Sequence, residues 1–388
     1  MTRIIFKAGS FRGLGATGMM ISVSETLGQL IPDAKFVLAS QTPKFDFARA
    51  VKYGMEVFNA KYRKTTFLLT FFRVLKELVK ADLVIDLSGF GFSDLRGKIP
   101  ALITSLTICQ CKLIRKPIVL YSQAFGPFRS RVIRLLAKLF LGKADLIVAR
   151  GEFSRGCLRE INIEKHVYVY ADSAFLLKPV SGRRLKEILQ AGGIKKNHGQ
   201  LLVGIAVNTK IYERSDTLNS ENTYVKLMGQ IVDYLVEKWN AKVVFVPHEI
   251  SLSGHDDRFV AREICKTVKN VDRIRLIECE YRPEEIKALI GIFDIFVGCR
   301  FHSIIASTSM IVPTLSIGWS HKYYETMKSL GQGRYVCSYK TVSFRRFKSL
   351  LDEVVSRRYE IMDELKVEVE KAKKSALENA KLVAKMID

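Results

Sequence analysis

Residues 297–324, VGCRFHSIIASTSMIVPTLSIGWSHKYY, are the most informative part of this sequence. They continue a mostly apolar run, residues 290–297, which predicts a buried strand. Arg300 and His302 follow where that strand ends and the chain turns into a helix. The stretch therefore predicts a strand–helix unit with two side chains able to hold or protonate an anion at its turn.

The same arrangement follows one strand later along the chain. Residues 314–317 predict a second buried strand, and Lys322 comes shortly after its end. In open α/β sheets, ligands bind where the carboxyl ends of strands meet helix N-termini. A lone histidine near an apolar strand usually has a structural role, but here Arg300 is two residues from His302. The set predicts a site for a phosphorylated or carboxylated small molecule, with histidine able to donate a proton near neutral pH.

Strand-like runs alternate with helical patterns along the rest of the chain. This alternation predicts an α/β fold in which parallel sheets are covered on both faces. We expect two Rossmann-like domains around a cleft, followed by a C-terminal helix. The predicted strands are residues 3–7, 35–38, 82–87, 117–121, 145–149, 167–170, 201–207, 243–246, 274–277, 292–297 and 314–317.

The pattern divides the chain into four segments. We predict an N-terminal domain over residues 1–178 and a second domain over residues 201–343. Between them, residues 179–200 are rich in Lys, Arg and Gly and predict a linker. Residues 344–388 show apolar residues at helical spacing and predict a helical segment.

Two helices of the first domain carry specific expectations. Residues 99–111 are apolar but too short to span a bilayer, and they predict a buried helix. A basic helix is predicted after residues 122–127, and four of its apolar residues share one face. They are Val132, Leu135, Leu136 and Leu139.

Net charge and cysteine usage bear on partners and location. The formal net charge is +23, which suits an anionic partner, but the cations are not in one block. The chain has neither an RNA-recognition signature nor zinc-finger spacing, so we do not expect a nucleic-acid partner. The seven dispersed cysteines and the lack of an apolar N-terminal leader predict a cytoplasmic protein with reduced thiols. The basic surface is also compatible with peripheral contact at the inner face of an anionic membrane.

Several glycine-containing loops follow predicted strands of the first domain. Gly13 and Gly15 lie in a loop that is either a tight strand–helix turn or a cradle of backbone N–H groups for a ligand. Ser88 and Gly89 end a buried strand, where small residues make either a turn or a substrate loop. Gln123 ends the next strand and is a candidate to bind a hydroxyl group.

Two charged residues end later strands of the same domain. Arg150 is either an ion-pair partner of Glu152 or a ligand-facing cation, and a guanidinium suits a carboxylate or phosphate. Asp172 is either a helix cap or a group that binds the acceptor or acts as a general base.

In the second domain, Asn208 and His248 follow two strands and are expected to line the cleft. His248 lies near His255, Asp256 and Asp257, but their spacing fits no standard metal signature. We therefore expect a polar loop without a bound metal.

In this order the motifs resemble the polysaccharide pyruvyl transferase family. The resemblance spans nearly the whole chain, from about Gly9 to Gly331. Against the usual family pattern, residues 13–16 lack an Asn and an Asp, and Ser88-Gly89 replaces a Gly-Gly pair. The matching motifs are DLVIDLSGFG (82–91), YSQAFGPF (121–128), ADLIVARGEFSRGCL (144–158), YADSAFLL (170–177), VPHEISLSGHDD (246–257) and CRFHSIIASTSMIVPTLSIGWSHK (299–322).

The resemblance implies a GT-B-like fold and a transferase of cell-surface polysaccharide biosynthesis. The family transfers pyruvate from phosphoenolpyruvate to a saccharide as a ketal and releases phosphate. The basic surface makes a lipid-linked saccharide a candidate acceptor, and no cofactor is implied. The resemblance places His302 and Arg300 as catalytic residues, and Arg150, Arg300, Ser303 and Lys322 on phosphoenolpyruvate. The acceptor candidates are Gly13, Gly15, Ser88, Gly89, Gln123, Asp172, Asn208 and His248.

Two other functions stay open at this point. A GT-B glycosyltransferase that uses a nucleotide sugar predicts a ribose-binding carboxylate near the helix after Gly298, and none lies close by. A non-enzymatic basic binding protein requires the positive charge to collect on one face.

Overall fold

The computed structural model describes residues 1–218, 221–251 and 254–387. The described chain forms two compact α/β units. The first comprises Met1–Arg12, Ala16–Leu177 and the residues from Ala372 onward. The second comprises Gly13–Gly15 and Lys178–Lys371.

The first unit has a seven-stranded sheet in the order β3-β2-β1-β4-β5-β6-β7, and every pairing is parallel. The strand order grows outward from β1 in both directions, first through β2 and β3 and then from β4 to β7, as in doubly wound folds. Its elements are β1 (Thr2–Lys7), α1 (Leu14–Leu30), β2 (Ala34–Ser40), α2 (Pro43–Ala50), β3 (Glu56–Asn59), α3 (Phe67–Val79), β4 (Leu83–Asp86), α4 (Lys98–Leu113), β5 (Ile118–Gln123), α5 (Arg131–Phe140), β6 (Leu146–Ala149), α6 (Glu152–Arg159) and β7 (Val167–Val169).

The second unit has a six-stranded parallel sheet in the order β12-β11-β8-β13-β14-β15. A short antiparallel pair, β9 and β10, lies outside it. Its elements are α7 (Gly182–Ala191), β8 (Leu202–Ala206), α8 (Thr209–Arg214), β9 (Thr217–Leu218), β10 (Glu221–Asn222), α9 (Thr223–Trp239), β11 (Lys242–Phe245), α10 (Asp257–Cys265), β12 (Ile274–Leu276), α11 (Pro283–Ile290), β13 (Ile295–Gly298), α12 (Phe301–Ser309), β14 (Thr314–Gly318), α13 (His321–Ser329), β15 (Val336–Ser338), α14 (Phe344–Ser356) and α15 (Arg358–Ala384).

The predicted class, α/β with parallel sheets and a helical C-terminus, is confirmed. Both sheets are buried because their central strands are apolar on both faces: β4, β5, β8 and β13 have no exposed residue. Every predicted strand has a counterpart. The chain adds two edge strands that the sequence did not predict, β3 and β15.

The predicted linker differs from the structure. Within residues 179–200 the chain forms α7, whose Ile188 is buried in the core of the second unit. Arg184 of α7 donates a hydrogen bond to Glu285 at 2.7 Å, which ties this helix to α11. The basic and glycine-rich composition hid this helix because only one of its residues is fully buried.

The C-terminal segment was predicted as a separate helical segment, but its residues are divided between the two units. Helix α15 continues past Lys371, and its last turns belong to the first unit. There the Asn379 amide donates to the carbonyl of Ala171 at 3.0 Å, and the Ser375 hydroxyl accepts from the Ala171 amide at 3.0 Å.

Helix α4 is not the fully buried helix that its composition predicts. Ala101, Ile108 and Cys111 on one side are fully buried, whereas Ile99 and Leu113 are each 71% exposed. Among the described residues, no helix is both long and apolar enough to cross a bilayer.

Candidate active site

The turn between β13 and α12 holds Arg300 in a network of carboxylates. Its Nε lies 3.1 Å from both carboxylate oxygens of Asp257, and its Nη1 donates to Glu249. Asp257 is fully buried, at the first position of α10. Burial opposes the positive charge of Arg300, but the carboxylates of Asp257 and Glu249 outweigh it and raise the pKa of the guanidinium. Arg300 is therefore a permanent cation that anchors the start of α12.

His302 lies against the glycine loop that the sequence placed in the acceptor domain. A Cβ added to Gly15 would be 2.1 Å from Nδ1 of His302, so only glycine leaves room for the imidazole. The loop is fixed there by backbone pairing: Gly13 bridges to Glu249, and the Leu14 amide donates to the carbonyl of His248 at 3.4 Å. Gly13 and Gly15 thus belong with His302 in the second unit, and not with the first-unit acceptor candidates.

Lys322 is one of three cations around Trp319, an aromatic residue that the sequence did not single out. Its Nζ lies 4.4 Å from the ring centre of Phe301 and 5.7 Å from that of Trp319. Arg214 lies 4.7 Å from the Trp319 ring centre and Lys210 lies 5.8 Å from it. We call Lys210, Arg214, Trp319 and Lys322 the tryptophan cluster. Its sequence signal was the aromatic residue after the Gly318 that ends β14.

A cavity of ≈ 480 Å³ in the second unit is lined in part by Arg214 of this cluster. Its other walls include Tyr224, Tyr339 and Lys340 together with the aliphatic side chains of Leu227, Ile317 and Val342. His321, next to Lys322, is mostly buried, and burial with the neighbouring ammonium group lowers the pKa of its imidazole to about 4. The neighbourhood of the tryptophan cluster therefore gathers positive charge at the carboxyl end of β14.

Three other predicted second-domain residues are buried and form hydrogen bonds within the second unit. Asn208 is buried, donates to the carbonyl of Cys299 at 2.7 Å and caps α8. Ser303 is buried and its hydroxyl donates to the Arg300 carbonyl at 2.7 Å, a bond at the start of α12; its contact with phosphoenolpyruvate stays a prediction. His248 is buried, and burial lowers the pKa of its imidazole to about 4 even though Asp257 is close.

In the polar loop near His248, the carboxylates form ion pairs with arginine side chains. Asp256 caps α10 and pairs with Arg258 at 2.7 Å, while Asp257 serves Arg300. Within the described ranges, no group of three or more His, Cys, Asp or Glu side chains could hold a metal ion. Leu252 and Ser253, inside the motif of residues 246–257, lie outside the described residues.

In the first unit, a chain of hydrogen bonds joins the ends of β4 and β5. The Gln123 amide donates to the backbone carbonyl and the carboxylate of Asp86, both at 2.8 Å, and its oxygen accepts from the Ser88 hydroxyl at 3.0 Å. Burial raises the pKa of the Asp86 carboxyl. Gln123 is fully buried, so its amide organises this turn and does not present the free hydroxyl-binding group that the sequence suggested.

Arg150 pairs with Asp172 and not with Glu152. Its Nη1 lies 2.8 Å from the Asp172 carboxylate, and both side chains are at most 5% exposed. Burial lowers the pKa of Arg150, and Asp172 opposes that shift. A Cβ on Gly89 would come within 3.1 Å of Nη2 of Arg150, so this pair lies beneath the Ser88-Gly89 turn. Arg150, predicted with the phosphoenolpyruvate residues, is therefore grouped with the first-unit candidates.

A family model described as polysaccharide pyruvyl transferase matches residues 14–321. The chain belongs to the polysaccharide pyruvyl transferase family. The match begins at the loop against His302 and ends at His321 beside Lys322, so it contains both the Arg300 turn and most of the tryptophan cluster.

Individual relatives agree with the family and with the fold. The chain is 24% identical over 263 residues to the amylovoran biosynthesis protein AmsJ of Erwinia amylovora; the match covers 66% of this chain and 61% of AmsJ. The fold is similar to a glycosyltransferase from Rickettsia africae (TM-score 0.67, 12% identity, 100% and 98% of the two chains). It is also similar to the UDP-GlcNAc 2-epimerase from Neisseria meningitidis (TM-score 0.65, 13% identity, 99% of each chain). These likenesses establish a GT-B-like fold for this pyruvyl transferase family member.

Proposed function

We propose that this enzyme transfers pyruvate from phosphoenolpyruvate to a saccharide during polysaccharide biosynthesis. The observation that carries the proposal is the group of three cations around Trp319, close to the carboxyl end of β14. Phosphoenolpyruvate has a phosphate and a carboxylate on one small carbon frame. A group with three positive side chains around Trp319 suits such a dianion.

The reaction has two additions to one carbon. A proton is added to the methylene carbon of phosphoenolpyruvate, which leaves an oxocarbenium-like centre at C2. One saccharide hydroxyl attacks C2 and gives its proton to the group that had protonated the methylene carbon. The bond from C2 to the phosphate oxygen then breaks, a second hydroxyl of the same saccharide attacks C2, and its proton leaves with the phosphate. The products are a pyruvate ketal and inorganic phosphate, and the scheme needs no cofactor.

The residues divide this work by position. His302 is assigned as the proton donor to the methylene carbon, because it is the titratable group that the Gly15 contact holds at the start of α12. Lys322 is assigned to the phosphate or carboxylate of the donor. Because Asp257 and Glu249 already engage Arg300, we assign it a positioning role at the β13–α12 turn in place of the direct ligand contact that the sequence predicted.

The saccharide acceptor is assigned to the first unit, with the Ser88-Gly89 turn as its contact. Both residues are partly exposed, and Gln123 and the Arg150–Asp172 pair fix them from below. Hydroxyl groups bind well to backbone N–H groups and small polar side chains. The small residues of this turn therefore allow a sugar to approach the backbone closely. A lipid-linked saccharide fits the strongly basic chain, because anionic headgroups attract Lys and Arg.

The donor assignment is tested through Trp319. The chain has two tryptophans, so Trp239→Phe leaves Trp319 as the single reporter beside Lys322. We expect phosphoenolpyruvate to change its fluorescence saturably. Lys322→Ala should weaken that binding roughly 10- to 100-fold, as expected for loss of a charged contact. Lys328→Ala, an exposed change at the other end of α13, is the matched control and should leave binding unchanged.

Competing ligands make this titration decisive. The HepE structure that resembles this fold (TM-score 0.64, 11% identity, 99% of each chain) is a complex with UDP. A nucleotide-sugar glycosyltransferase would therefore bind UDP more tightly than phosphoenolpyruvate at Trp319. That order of affinities, or equal binding by wild type and Lys322→Ala, would refute the donor assignment.

A further inference from the structure

The outer face of α4 carries a stripe of apolar residues directed away from the core. Ile99, Leu102, Leu106, Cys109 and Leu113 recur at helical spacing on the side opposite the buried Ala101, Ile108 and Cys111. Ile99 and Leu113 are 71% exposed and Leu102 is 50% exposed. A helix that is apolar on both faces is normally buried on both, so this face is built for a partner.

The neighbouring helices extend the apolar face. On α5, Val132, Leu135 and Leu139 point outward, while Ile133 and Ala137 pack inward. These outward residues are three of the four predicted as the apolar face of this helix. On α3, five large apolar side chains are also between 45% and 68% exposed. They are Phe67, Leu68, Leu69, Phe72 and Val79.

All three helices pack on one hydrophobic core of the first unit through Val74, Ile108 and Ile133. Helix α4 lies between its contacts with α3 and α5. We call their outward side the α3–α5 face. It is a broad exposed apolar area, of the kind that marks an interaction surface on soluble domains.

Charge identifies the partner. From residue 95 to residue 144 the sequence has ten Lys or Arg and no Asp or Glu. Eight of these ten cations are exposed, and three of them, Arg131, Arg134 and Lys138, flank the apolar stripe of α5. A surface that pairs exposed Leu, Ile and Phe with exposed cations matches the interface of an anionic bilayer. There apolar groups enter the acyl boundary while Lys and Arg meet the phosphates.

We propose that the α3–α5 face docks this enzyme on an anionic membrane leaflet. A nucleic acid would use the cations but not the apolar stripes, and a second copy of the chain would bring exposed cations against exposed cations. The proposal deepens the proposed function, on which it rests for its purpose. Docking by the first unit would hold the acceptor-binding unit at the surface where a lipid-linked saccharide is found.

The test is sedimentation of the full chain with vesicles of two compositions. One is phosphatidylcholine alone, and the other is phosphatidylcholine mixed with phosphatidylglycerol. We expect binding to the mixed vesicles only, and weaker binding as salt is raised, because the attraction to the headgroups is screened. Failure of the wild type to bind the mixed vesicles would overturn the proposal.

Two pairs of substitutions separate the apolar and ionic parts. Leu102→Ser with Leu135→Ser, and Arg131→Gln with Arg134→Gln, should each reduce partition to the mixed vesicles roughly tenfold or more. Val271→Ser with Lys238→Gln, exposed residues of the second unit, is the matched control and should bind like wild type. Wild-type partition by both variants would contradict docking through this face.

Two further readouts distinguish the remaining outcomes. If Leu102→Ser with Leu135→Ser converts a dimer into a monomer in solution without changing vesicle binding, the face joins two copies of the chain and the proposal is wrong. The Trp319 titration with phosphoenolpyruvate should be unchanged in all these variants. Loss of docking with intact donor binding would thus be separate from failure of the proposed transferase function.

Discussion

At the scale of single residues, Gly15 shows how a loop outside the Arg300 motif shapes the site. The sequence offered a tight turn or a ligand cradle for this loop, and the structure supplies a third reason for glycine, the room needed by the His302 imidazole. No spacing rule connects residues 15 and 302, because the contact is tertiary. The sequence singled out Arg300, His302 and Lys322 as candidates, since each lies shortly after the end of a predicted strand.

Gly15→Ala is expected to displace His302 and abolish most transfer activity. A Cβ 2.1 Å from Nδ1 requires the ring to move, at a cost of about 1–3 kcal/mol in the free energy of unfolding. Gly13→Ala is the matched control, because a Cβ there meets no atom within 4 Å. In a His302→Ala background, Gly15→Ala should no longer destabilise the protein. Additive effects in this double-mutant cycle would show that the contact is absent.

His248 gives the stability of the protein a pH dependence with a definite sign. Burial lowers its pKa to about 4 in the folded state, whereas an unperturbed histidine has a pKa of about 6.5. As pH falls from about 6.5 toward 4, the unfolded chain takes up a proton that the folded chain refuses, so the free energy of unfolding decreases. The full effect is about 1.4 kcal/mol for each pKa unit of difference.

Urea unfolding of His248→Gln at several pH values checks this expectation. The variant should lose less stability than wild type between pH 6.5 and 4. His198→Gln, at an exposed position, should retain the wild-type slope. Equal slopes for wild type and His248→Gln would mean that His248 takes up its proton as readily in the folded chain as in the unfolded one.

At the scale of elements, periodicity predicted the strands and core helices and failed where one face of an element meets water. Strand β3 was missed because none of its four residues is buried. Helix α7 was missed because its composition is that of a linker, and α4 was predicted as wholly buried because both of its faces are apolar. In each case the deciding factor is the neighbour, which the local sequence does not contain.

Glu285→Gln tests whether α7 belongs to the second unit. The Glu285 carboxylate is 4% exposed and accepts from Arg184 at 2.7 Å and from Arg282 at 2.9 Å. Burial opposes its charge, but hydrogen bonds from Arg282 and Arg184 outweigh it and lower the pKa of Glu285. Removing the charge should cost about 1–3 kcal/mol and speed amide exchange throughout α7.

Glu187→Gln provides the comparison for this substitution. Glu187 pairs with Arg183 and Arg184 but is 45% exposed, so its loss should cost at most about 0.5 kcal/mol. Equal exchange rates in α7 for wild type and Glu285→Gln would place the attachment of this helix elsewhere, in the packing of Ile188.

At the scale of the whole molecule, two parallel sheets and a net charge of +23 combine in a member of the polysaccharide pyruvyl transferase family. The order of motifs along the chain was enough to predict the family and the GT-B-like fold. It was not enough to place Arg150 and Gly15, because each contacts residues far from it in sequence. The basic and apolar surface of the first unit could not be located from the sequence either. The sequence shows cations along the whole chain, and only the structure places the apolar stripes beside some of them.

In the proposed reaction, this enzyme moves the pyruvyl group of phosphoenolpyruvate onto a saccharide. The most direct measurement follows phosphoenolpyruvate labelled in its carbon chain, with the saccharide fraction of the source cells as acceptor. We predict that label enters the saccharide in step with release of one phosphate per pyruvyl group. The rate should fall by roughly two orders of magnitude or more in His302→Ala, as for loss of a general acid, and stay unchanged in Gly13→Ala. Phosphate release without label in the saccharide, or full transfer by His302→Ala, would contradict the account.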